Sequence, residues 1–304
     1  MYYIHRMKII YLCIALLMGI SLLAQQPKQL QLFPQGTVFH QNIPYANDTS
    51  QKHLLDIYLP PDAKGNLPLV VWIHGGAWML NDKYADMGYM KQTVKSFIDS
   101  GYALASINYR YSTDSVFPAQ IRDCNTAIEF LYQHAGQYHI DRNKIAVIGF
   151  SAGGHLASLL ALSNNNHVPA FSTSPVHFTV KTCLDFYGPA DFIMFASNPD
   201  TAVNNQPDPL TLLLGASPVD RPDLAKRASP VTYIDKNDPP FLIVQGEKDQ
   251  SVPNTQSKLL HSWLNLNGVK NDLIIVPNAP HYGEMFDAEY IRKKAFEYLR
   301  EALR

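Results

Sequence analysis

Short, continuous runs of apolar residues, separated by stretches with a helical pattern, are the feature of this sequence that most restricts its fold. Six such runs occupy residues 67–74, 103–109, 145–150, 179–186, 240–244 and 272–276. A strand that helices cover on both faces is apolar along its whole length, whereas a strand with one solvated face alternates. These runs therefore predict interior strands of a mainly parallel sheet.

Stretches with a helical pattern lie between and after these apolar runs. Apolar residues recur every three or four positions over residues 88–99, 119–135, 152–162, 254–266 and 288–303. Alternation of strand and helix predicts an α/β fold, with a mainly parallel central sheet and helices on both faces. Because ligands of such sheets bind at the carboxyl ends of the strands, chemistry is expected at those ends.

Three segments depart from this alternation. Residues 25–47 are polar and are predicted to form a loop, while residues 53–59 alternate as an edge strand does. Residues 189–238 are rich in Pro, Asp, Asn and Ser and hold one apolar patch, at residues 210–214. So long a segment without a clear strand favours a lid-like insertion over the active site, with a surface loop of no function as the alternative. Residues 25–304 are expected to form one catalytic domain that includes this insertion.

The N-terminus differs in composition from the rest of the chain. Weakly basic positions 5, 6 and 8 precede an apolar run over residues 9–23, which ends at the small residue Ala24. This order predicts a secretory signal peptide over residues 1–24 and a mature chain that begins near Gln25. The run of about 15 residues is shorter than the roughly 20 that span a bilayer, so an uncleaved anchor is the less favoured alternative. The expected location is secreted or periplasmic, without stable membrane insertion after cleavage.

Composition argues against several other classes of function. Lys and Arg total 25 and Asp and Glu total 26, without a basic cluster, so no nucleic-acid partner is expected. No spacing of His and Cys resembles a zinc site, and no glycine-rich phosphate loop is present, so neither a metal nor a nucleotide cofactor is implied. Cys124 and Cys183 lie within predicted regular elements. Buried free thiols are favoured there over the disulfide that export would permit.

The strongest chemical signal is the sequence Gly149-Phe150-Ser151-Ala152-Gly153. This G-x-S-x-G pattern follows a predicted strand and opens a predicted helix, which is the context of a nucleophile elbow. The turn is expected to hold Ser151 in a strained conformation at the strand end, while the two glycines leave room for neighbouring groups. The helix N-terminus behind the serine favours developing negative charge. Ser151 is therefore the predicted nucleophile.

A second motif, HGGAW, directly follows another predicted strand. An acyl-transfer enzyme needs backbone N–H groups that are already in place to stabilise an oxyanion. We expect Gly76 and Ala77 to supply donors from this loop, and Ala152, just past the nucleophile, to supply another. His74 is expected to anchor the loop by hydrogen bonds. Trp78 either packs in the core or forms the wall of a substrate-binding pocket.

A serine nucleophile needs a base, and the base needs a carboxylate that orients it. Asp249 and His281 each lie in a loop that follows a predicted strand. Their order in the chain, nucleophile then acid then base, is the order expected when the nucleophile lies on an elbow of this type. Asp249 is the predicted acid, with Glu247 and Asp238 as alternatives, and His281 is the predicted base.

These motifs together resemble the α/β-hydrolase superfamily. The segments HGGAW, GFSAGGH, GEKDQSVP and NAPHYG are similar to those of a bacterial esterase/lipase group related to hormone-sensitive lipase and bacterial feruloyl esterases. The resemblance extends from about Leu54 to the C-terminus, and it implies an α/β-hydrolase fold and hydrolysis of carboxylic esters without a cofactor. Ala77 stands where the family's HGGG loop has its third glycine, which leaves the oxyanion role intact because only a backbone N–H is required. Arg110 and Asp123 are expected to form a structural pair.

The expected function is a secreted serine carboxylesterase that works through an acyl-enzyme. The resemblance implies ester substrates that are small molecules or are attached to polysaccharide, such as acetyl or feruloyl groups of plant cell walls. A peptidase similar to the catalytic domain of prolyl oligopeptidase is one alternative, although such enzymes usually carry a propeller domain for which this sequence has no room. A non-catalytic binding protein on the same scaffold is another, although all three predicted catalytic residues are present.

Overall fold

The computed structural model describes residues 28–164, 168–196 and 208–304. The predicted signal peptide, residues 1–24, lies outside the described residues. The chain divides into two compact units, Met1–Gln31 and Leu32–Arg304, and a 3-10 helix at Lys28–Leu32 begins the described part. The strands and α-helices given below all belong to the second unit.

Eight strands within the described residues form one sheet. They are β1 (Val38–Pro44), β2 (Leu54–Leu59), β3 (Leu67–Ile73), β4 (Ala103–Ile107), β5 (Ile140–Phe150), β6 (Val180–Phe186), β7 (Phe241–Gly246) and β8 (Asn271–Val276). Their order across the sheet is β1-β2-β4-β3-β5-β6-β7-β8. β2 is antiparallel to both of its neighbours, and all pairings from β4 to β8 are parallel.

The helices of the described residues alternate with these strands. They are α1 (Lys91–Asp99), α2 (Ala119–Gln133), α3 (Ala152–Asn164), α4 (Phe192–Ala196), α5 (Pro209–Leu214), α6 (Pro222–Ala228), α7 (Asn254–Leu266) and α8 (Glu289–Ala302). Short 3-10 helices occupy Gln51–His53, Pro169–Phe171, Pro230–Tyr233 and Glu284–Asp287. No helix within these residues is both long and apolar enough to cross a membrane.

Burial explains why the apolar runs predicted strands correctly. All residues of β4 and β7 are buried, and so are the last five residues of β3 and the last six of β5. α3 is buried at all 13 of its positions, as expected of a helix that is apolar on every side. The helix that follows the predicted nucleophile is therefore a fixed part of the core.

Two predictions near the N-terminus were wrong. β2 is an interior strand that lies between β1 and β4, although residues 53–59 were predicted to form an edge strand. The edge strand beside β2 is β1, which lies inside the segment that was predicted to be a loop. β1 is only partly buried, and the polar residues 40–42 interrupt any apolar run in it. Its place in the sheet comes from pairing with β2.

The insertion, residues 189–238, contains α4, α5, α6 and the 3-10 helix at Pro230–Tyr233, and no strand among its described residues. Its two ends are joined by a hydrogen bond from the N–H of Val231 to the carbonyl of Ala190. Gln256 of α7 accepts hydrogen bonds from the N–H groups of Ala190 and Asp191 at 2.9 Å. The base of the insertion is therefore tied to the domain.

Candidate active site

The parallel strands end at one edge of the sheet, where the predicted site residues meet. Pairing places Ile73, the last residue of β3, beside Gly149 of β5, and Gly246, the last residue of β7, beside Val276, the last residue of β8. The loops that leave this edge carry, in chain order, the HGGAW motif, Ser151, Asp249 and His281.

Ser151 lies in a tight turn between β5 and α3. Its φ is +53°, a left-handed conformation that is uncommon for residues other than glycine. Its N–H donates to the carbonyl of Phe186 on the neighbouring strand at 2.9 Å. A Cβ at Gly149 would lie 2.0 Å from the carbonyl oxygen of Gly153, and one at Gly153 would lie 2.1 Å from that of Ile73. The two glycines of the motif are therefore required by close backbone contact.

His281 lies between Ser151 and Asp249. Its Nε2 is 2.8 Å from the Oγ of Ser151, and its Nδ1 is 2.7 Å from the Oδ2 of Asp249. Because a carboxylate only accepts hydrogen bonds, the contact with Asp249 favours the tautomer that carries the proton on Nδ1. Nε2 is then the acceptor for the serine hydroxyl. The side chain of Asp249 is fully buried and that of His281 is 15% exposed.

The carboxylate of Asp249 is held on both oxygens. Its Oδ1 accepts the N–H groups of Ser251 and Val252, each at 2.9 Å, and its Oδ2 accepts the side-chain amide of Gln245 at 2.7 Å. Gln245 is itself buried and accepts a hydrogen bond from Ser257 of α7 at 2.7 Å. No sequence motif indicated this positioning role, because a lone glutamine at a strand end has no recognisable spacing to its partners.

Neither of the alternative acids contacts His281. Glu247 accepts the N–H of Asn278 at 2.8 Å and so ties together the loops after β7 and β8. Asp238 lies before β7, where its Oδ2 accepts the N–H of Asp235 at 2.6 Å. Burial raises the pKa of Asp238 to about 7. Among the three candidates for the acid, only Asp249 is within hydrogen-bond distance of the imidazole.

The loop after β3 has an unusual backbone conformation. Ala77 and Trp78 have φ values of +50° and +59°, and each such residue costs roughly 1–2 kcal/mol relative to an ordinary conformation. The N–H of Gly75 donates to Asp86 at 2.8 Å and is therefore occupied. No described residue accepts a hydrogen bond from the N–H of Gly76 or Ala77. The loop therefore leaves these two groups, which were predicted as oxyanion donors, available.

His74 anchors this loop, as its sequence context predicted. Its Nδ1–H donates to the carbonyl of Gly75 at 2.7 Å, and its ring stacks on that of Tyr109 with centroids 4.3 Å apart. Tyr109 donates its hydroxyl to the carbonyl of His74 at 2.9 Å. Burial lowers the pKa of His74 to about 4, so the imidazole is neutral at physiological pH. A ring in these contacts is not positioned as a proton carrier for the substrate.

Asp86 is a half-buried acid that no sequence motif indicated. Its Oδ2 accepts the N–H of Gly75, and its Oδ1 accepts the hydroxyl of Tyr89 at 2.5 Å. The hydroxyl of Tyr89 also lies 2.8 Å from that of Tyr187, whose ring is 4.9 Å from that of His281. Burial raises the pKa of Asp86, and the hydrogen bond from Gly75 opposes the shift. This network connects the loop after β3 with the surroundings of His281.

Trp78 packs in the core, which was one of the two positions expected for it. It is 3% exposed, and its indole N–H lies 3.2 Å from the Nδ1 of His155 on α3. Its ring makes edge contacts with those of His155 and Phe192, at 5.3 and 5.5 Å. The indole therefore has little free surface with which to line a substrate-binding pocket.

The remaining sequence assignments concern structural residues. Arg110 binds Asp123 through two side-chain nitrogens, with Nη2 2.6 Å from Oδ1, which is the pair that was predicted. Cys124 and Cys183 are buried free thiols, as predicted, and burial raises the pKa of both. Among the described residues, no group of His, Cys, Asp and Glu side chains is arranged to hold a metal ion.

The fold and the site together define a class of protein. A mainly parallel sheet of eight strands carries a serine on a turn between strand and helix, and an acid and a histidine follow, in that order, in the loops after two later strands. This arrangement is that of the α/β-hydrolase fold. The model of the BD-FAE family matches residues 55–264, and this chain belongs to that family. It therefore falls within the bacterial esterase group of α/β-hydrolases that its motifs resemble.

Relatives and solved structures agree with this assignment. Esterase LipQ of Mycobacterium tuberculosis (strain ATCC 25618 / H37Rv) is 33% identical over 245 residues, which cover 79% of this chain and 56% of LipQ. The probable carboxylic ester hydrolase LipM of the same strain is 33% identical over 214 residues, which cover 67% of this chain and 47% of LipM. This chain thus spans about half the length of these curated relatives. A truncated carbohydrate esterase from gut microbiota aligns with a TM-score of 0.77 and 29% identity, over 88% of this chain and 98% of that structure.

Proposed function

We propose that this chain is a serine carboxylic ester hydrolase that acts through Ser151, His281 and Asp249. The observation that carries the proposal is the continuous set of contacts from Ser151 Oγ to His281 Nε2 at 2.8 Å and from His281 Nδ1 to Asp249 Oδ2 at 2.7 Å. A nucleophile within hydrogen-bond distance of a base, which a third group orients, is the arrangement required for covalent acyl transfer. The esterase names of the relatives support the same activity.

The proposed reaction has two steps. Ser151 Oγ attacks the ester carbonyl while its proton passes to His281 Nε2, and Asp249 stabilises the imidazolium. The C–O bond then breaks, and the leaving alcohol takes that proton from Nε2. In the second step, a water molecule that His281 deprotonates attacks the acyl-enzyme, and the acid product and free Ser151 are released.

The negative charge that develops on the carbonyl oxygen requires hydrogen-bond donors that are already oriented. The N–H groups of Gly76 and Ala77 have no acceptor among the described residues and are available for this role, whereas the N–H of Gly75 is bound to Asp86. Ala152 begins α3, and the first N–H groups of a helix have no partner within that helix. The three predicted donors therefore come from the loop after β3 and from the first residue of α3.

We assign the substrate class to esters whose alcohol is a sugar, as in acetylated or feruloylated polysaccharide. Because His281 delivers the proton to the leaving oxygen, the alcohol leaves beside that residue. Tyr282, the next residue, is 64% exposed, and its ring lies 6.2 Å from that of His281 and 6.1 Å from that of Tyr89. Exposed aromatic rings supply rigid surfaces for ring-shaped ligands. The similarity to the carbohydrate esterase from gut microbiota supports this class.

A substrate panel tests the proposed function. Purified protein is assayed with p-nitrophenyl acetate, p-nitrophenyl decanoate, methyl ferulate, acetylated xylo-oligosaccharide and an aminoacyl-proline amide. Hydrolysis of the acetate esters without cleavage of the amide is the expected result. Cleavage of the amide alone would make the chain a peptidase, and turnover of none of the five would contradict enzymatic activity of this kind.

Tyr282→Ala is expected to weaken the use of sugar esters specifically. Loss of the aromatic surface should raise KM for acetylated xylo-oligosaccharide by about tenfold, equivalent to ~1.4 kcal/mol, while kcat/KM for ethyl acetate changes less than about threefold. Tyr282→Phe keeps the ring and should behave as the wild type. Tyr290→Ala, at a tyrosine of α8 that is also exposed, is the matched control. Equal losses with both esters would place Tyr282 outside substrate selection.

Export of the protein is the remaining part of the proposed function. The basic start, the apolar run over residues 9–23 and the small residue Ala24 support a cleaved signal peptide. Expression of the full chain in a bacterium with an outer membrane should give mature protein in the periplasm or medium, with an N-terminus near Gln25. Exported protein that retains Met1 or Met7 would contradict cleavage.

A further inference from the structure

One buried side chain connects the loop after β3, the nucleophile helix and the insertion. His155 lies on α3, four residues after Ser151, and has no exposed surface. Its Nδ1 is 3.2 Å from the indole nitrogen of Trp78, and its Nε2 is 2.8 Å from the carbonyl oxygen of Ala228 at the end of α6. Its ring stacks on that of Phe192 at the start of α4, with centroids 4.6 Å apart.

The two hydrogen bonds determine the protonation state of this imidazole. Trp78 can only donate and a carbonyl can only accept, so the proton lies on Nε2 and Nδ1 is the acceptor. Burial lowers the pKa of His155 to about 4, and the ring is neutral at physiological pH. A neutral histidine with one donor and one acceptor satisfies both partners at once. None of the other uncharged side chains combines this geometry with an aromatic face for Phe192.

The partner on the loop side adjoins a predicted oxyanion donor. Trp78 directly follows Ala77, and both residues have left-handed backbone conformations. Such conformations persist only where the surrounding structure determines them. The carbonyl of Trp78 accepts the N–H of Ser112 at 2.8 Å, and the indole is bound to His155. These contacts fix Trp78 and, through the intervening peptide, the orientation of the Ala77 N–H.

The partners on the insertion side come from both ends of that segment. Phe192 and Ala228 are fully buried, and the N–H of Phe192 donates to the hydroxyl of Ser229 at 2.9 Å. Ser229 in turn donates to the carbonyl of Ala225 at 2.7 Å. The two ends of the insertion thus form one unit where they meet His155. Displacement of that unit would leave His155 Nε2–H without its acceptor inside the core, which is energetically costly.

We infer that His155 is a positioning residue that couples the seating of the insertion, residues 189–238, to the orientation of the Ala77 N–H. The described ends of the insertion are, in this assignment, a support for the oxyanion loop. The coupling acts on transition-state stabilisation, since an oxyanion donor matters most when charge develops on the carbonyl oxygen. The kinetic part of this inference rests on the proposed function.

Substitutions of His155 separate its two hydrogen bonds. His155→Phe keeps a ring for Phe192 and removes both bonds; it is expected to lower kcat for p-nitrophenyl acetate at least tenfold, with KM changed less than about threefold. His155→Asn places an oxygen near the position of Nδ1 and keeps the acceptor for Trp78. His155→Gln places an amide nitrogen near the position of Nε2 and keeps the donor to Ala228. Coupling requires both bonds, so each of these two variants should lose kcat.

Ser158→Ala is the matched control on the same helix. Ser158 is buried and donates to the carboxylate of Asp185 on β6 at 2.7 Å, so its hydroxyl bond is made to the sheet and not to the loop after β3. This variant is expected to change kcat less than about threefold, whatever its thermal stability. A wild-type kcat in folded His155→Phe would overturn the inference. If kcat falls in His155→Gln but keeps its wild-type value in His155→Asn, the hydrogen bond to Trp78 is sufficient. That result would overturn the link to the insertion.

Hydrogen–deuterium exchange tests the coupling without any substrate. Because coupling between two sites is reciprocal, Trp78→Phe, which removes the indole N–H bound by His155 and keeps an aromatic ring beside Phe192, should increase exchange in a peptide spanning residues 224–233. Ser158→Ala should leave that peptide unchanged. If Trp78→Phe increases exchange only within residues 74–82, the inference is wrong, and this holds even if the His155 variants do not fold. Coupled exchange in a protein that hydrolyses no ester would support the link and contradict only the proposed function.

Discussion

Ser151→Ala is expected to leave a folded protein whose kcat for ester hydrolysis is roughly 10³ to 10⁶ lower than that of the wild type. In the proposed mechanism the hydroxyl forms the acyl-enzyme, and among the described residues no other nucleophile is in contact with His281 on its Nε2 side. Alanine has a Cβ like serine, so the left-handed backbone at this position carries a similar strain in both proteins. The measurement is kcat for p-nitrophenyl acetate, with circular dichroism and a thermal melt to establish folding.

The residual rate of this variant carries information as well. Oriented oxyanion donors and substrate binding retain some catalysis when a member of a serine triad is lost. A folded Ser151→Ala variant with a rate within tenfold of the wild type would contradict the assignment of the nucleophile.

Asp249→Asn is expected to lower kcat by about 10⁴, as in other triads, whereas Glu247→Gln should lower it less than about tenfold. The amide presents N–H groups or a weaker acceptor to His281 Nδ1 and therefore favours the wrong tautomer. The carbonyl of the new amide can still accept the N–H groups that Asp249 Oδ1 binds, so the fold should persist. Glu247 binds only the N–H of Asn278 at this site, and a glutamine oxygen can accept the same bond.

The comparison of these two acids is informative because they lie two residues apart on the same loop. The ratio of the two kcat values, measured for folded variants at the same pH, decides between them. A larger loss in Glu247→Gln would move the orienting acid to Glu247 and would require a rearrangement of the loop after β8.

The interior strands of the sheet were predicted correctly because a strand that is buried on both faces is apolar along its whole length. β4, with the sequence ALASI, is buried at every position, and nothing except a buried element fits such a run. β1 has no continuous apolar run because its side chains are exposed or half-buried. Its stabilisation comes from pairing with β2 and from ring contacts such as that between Phe39 and Tyr58, at 4.8 Å. Contacts of that kind are visible only once two distant segments have been brought together.

The same distinction applies to the site. Ser151 could be located from five consecutive residues, and Asp249 and His281 from their order and their positions after strands. Gln245, Asp86 and His155 were not assigned their positioning roles, because each acts through a partner that the sequence does not indicate. The contact between Trp78 and His155 joins residues 77 positions apart. A tryptophan and a histidine at that separation do not form a recognisable sequence motif.

The most direct measurement of the central claim is covalent labelling by a fluorophosphonate, followed by mass spectrometry of the intact protein and of its peptides. Attack by Ser151 Oγ on phosphorus expels fluoride, and His281 accepts the serine proton. We predict one adduct per chain, located on Ser151, with no adduct in Ser151→Ala and much slower labelling in Asp249→Asn. A wild-type protein that remains unlabelled, or an adduct on another residue that persists in Ser151→Ala, would contradict the assignment of Ser151 as an activated nucleophile.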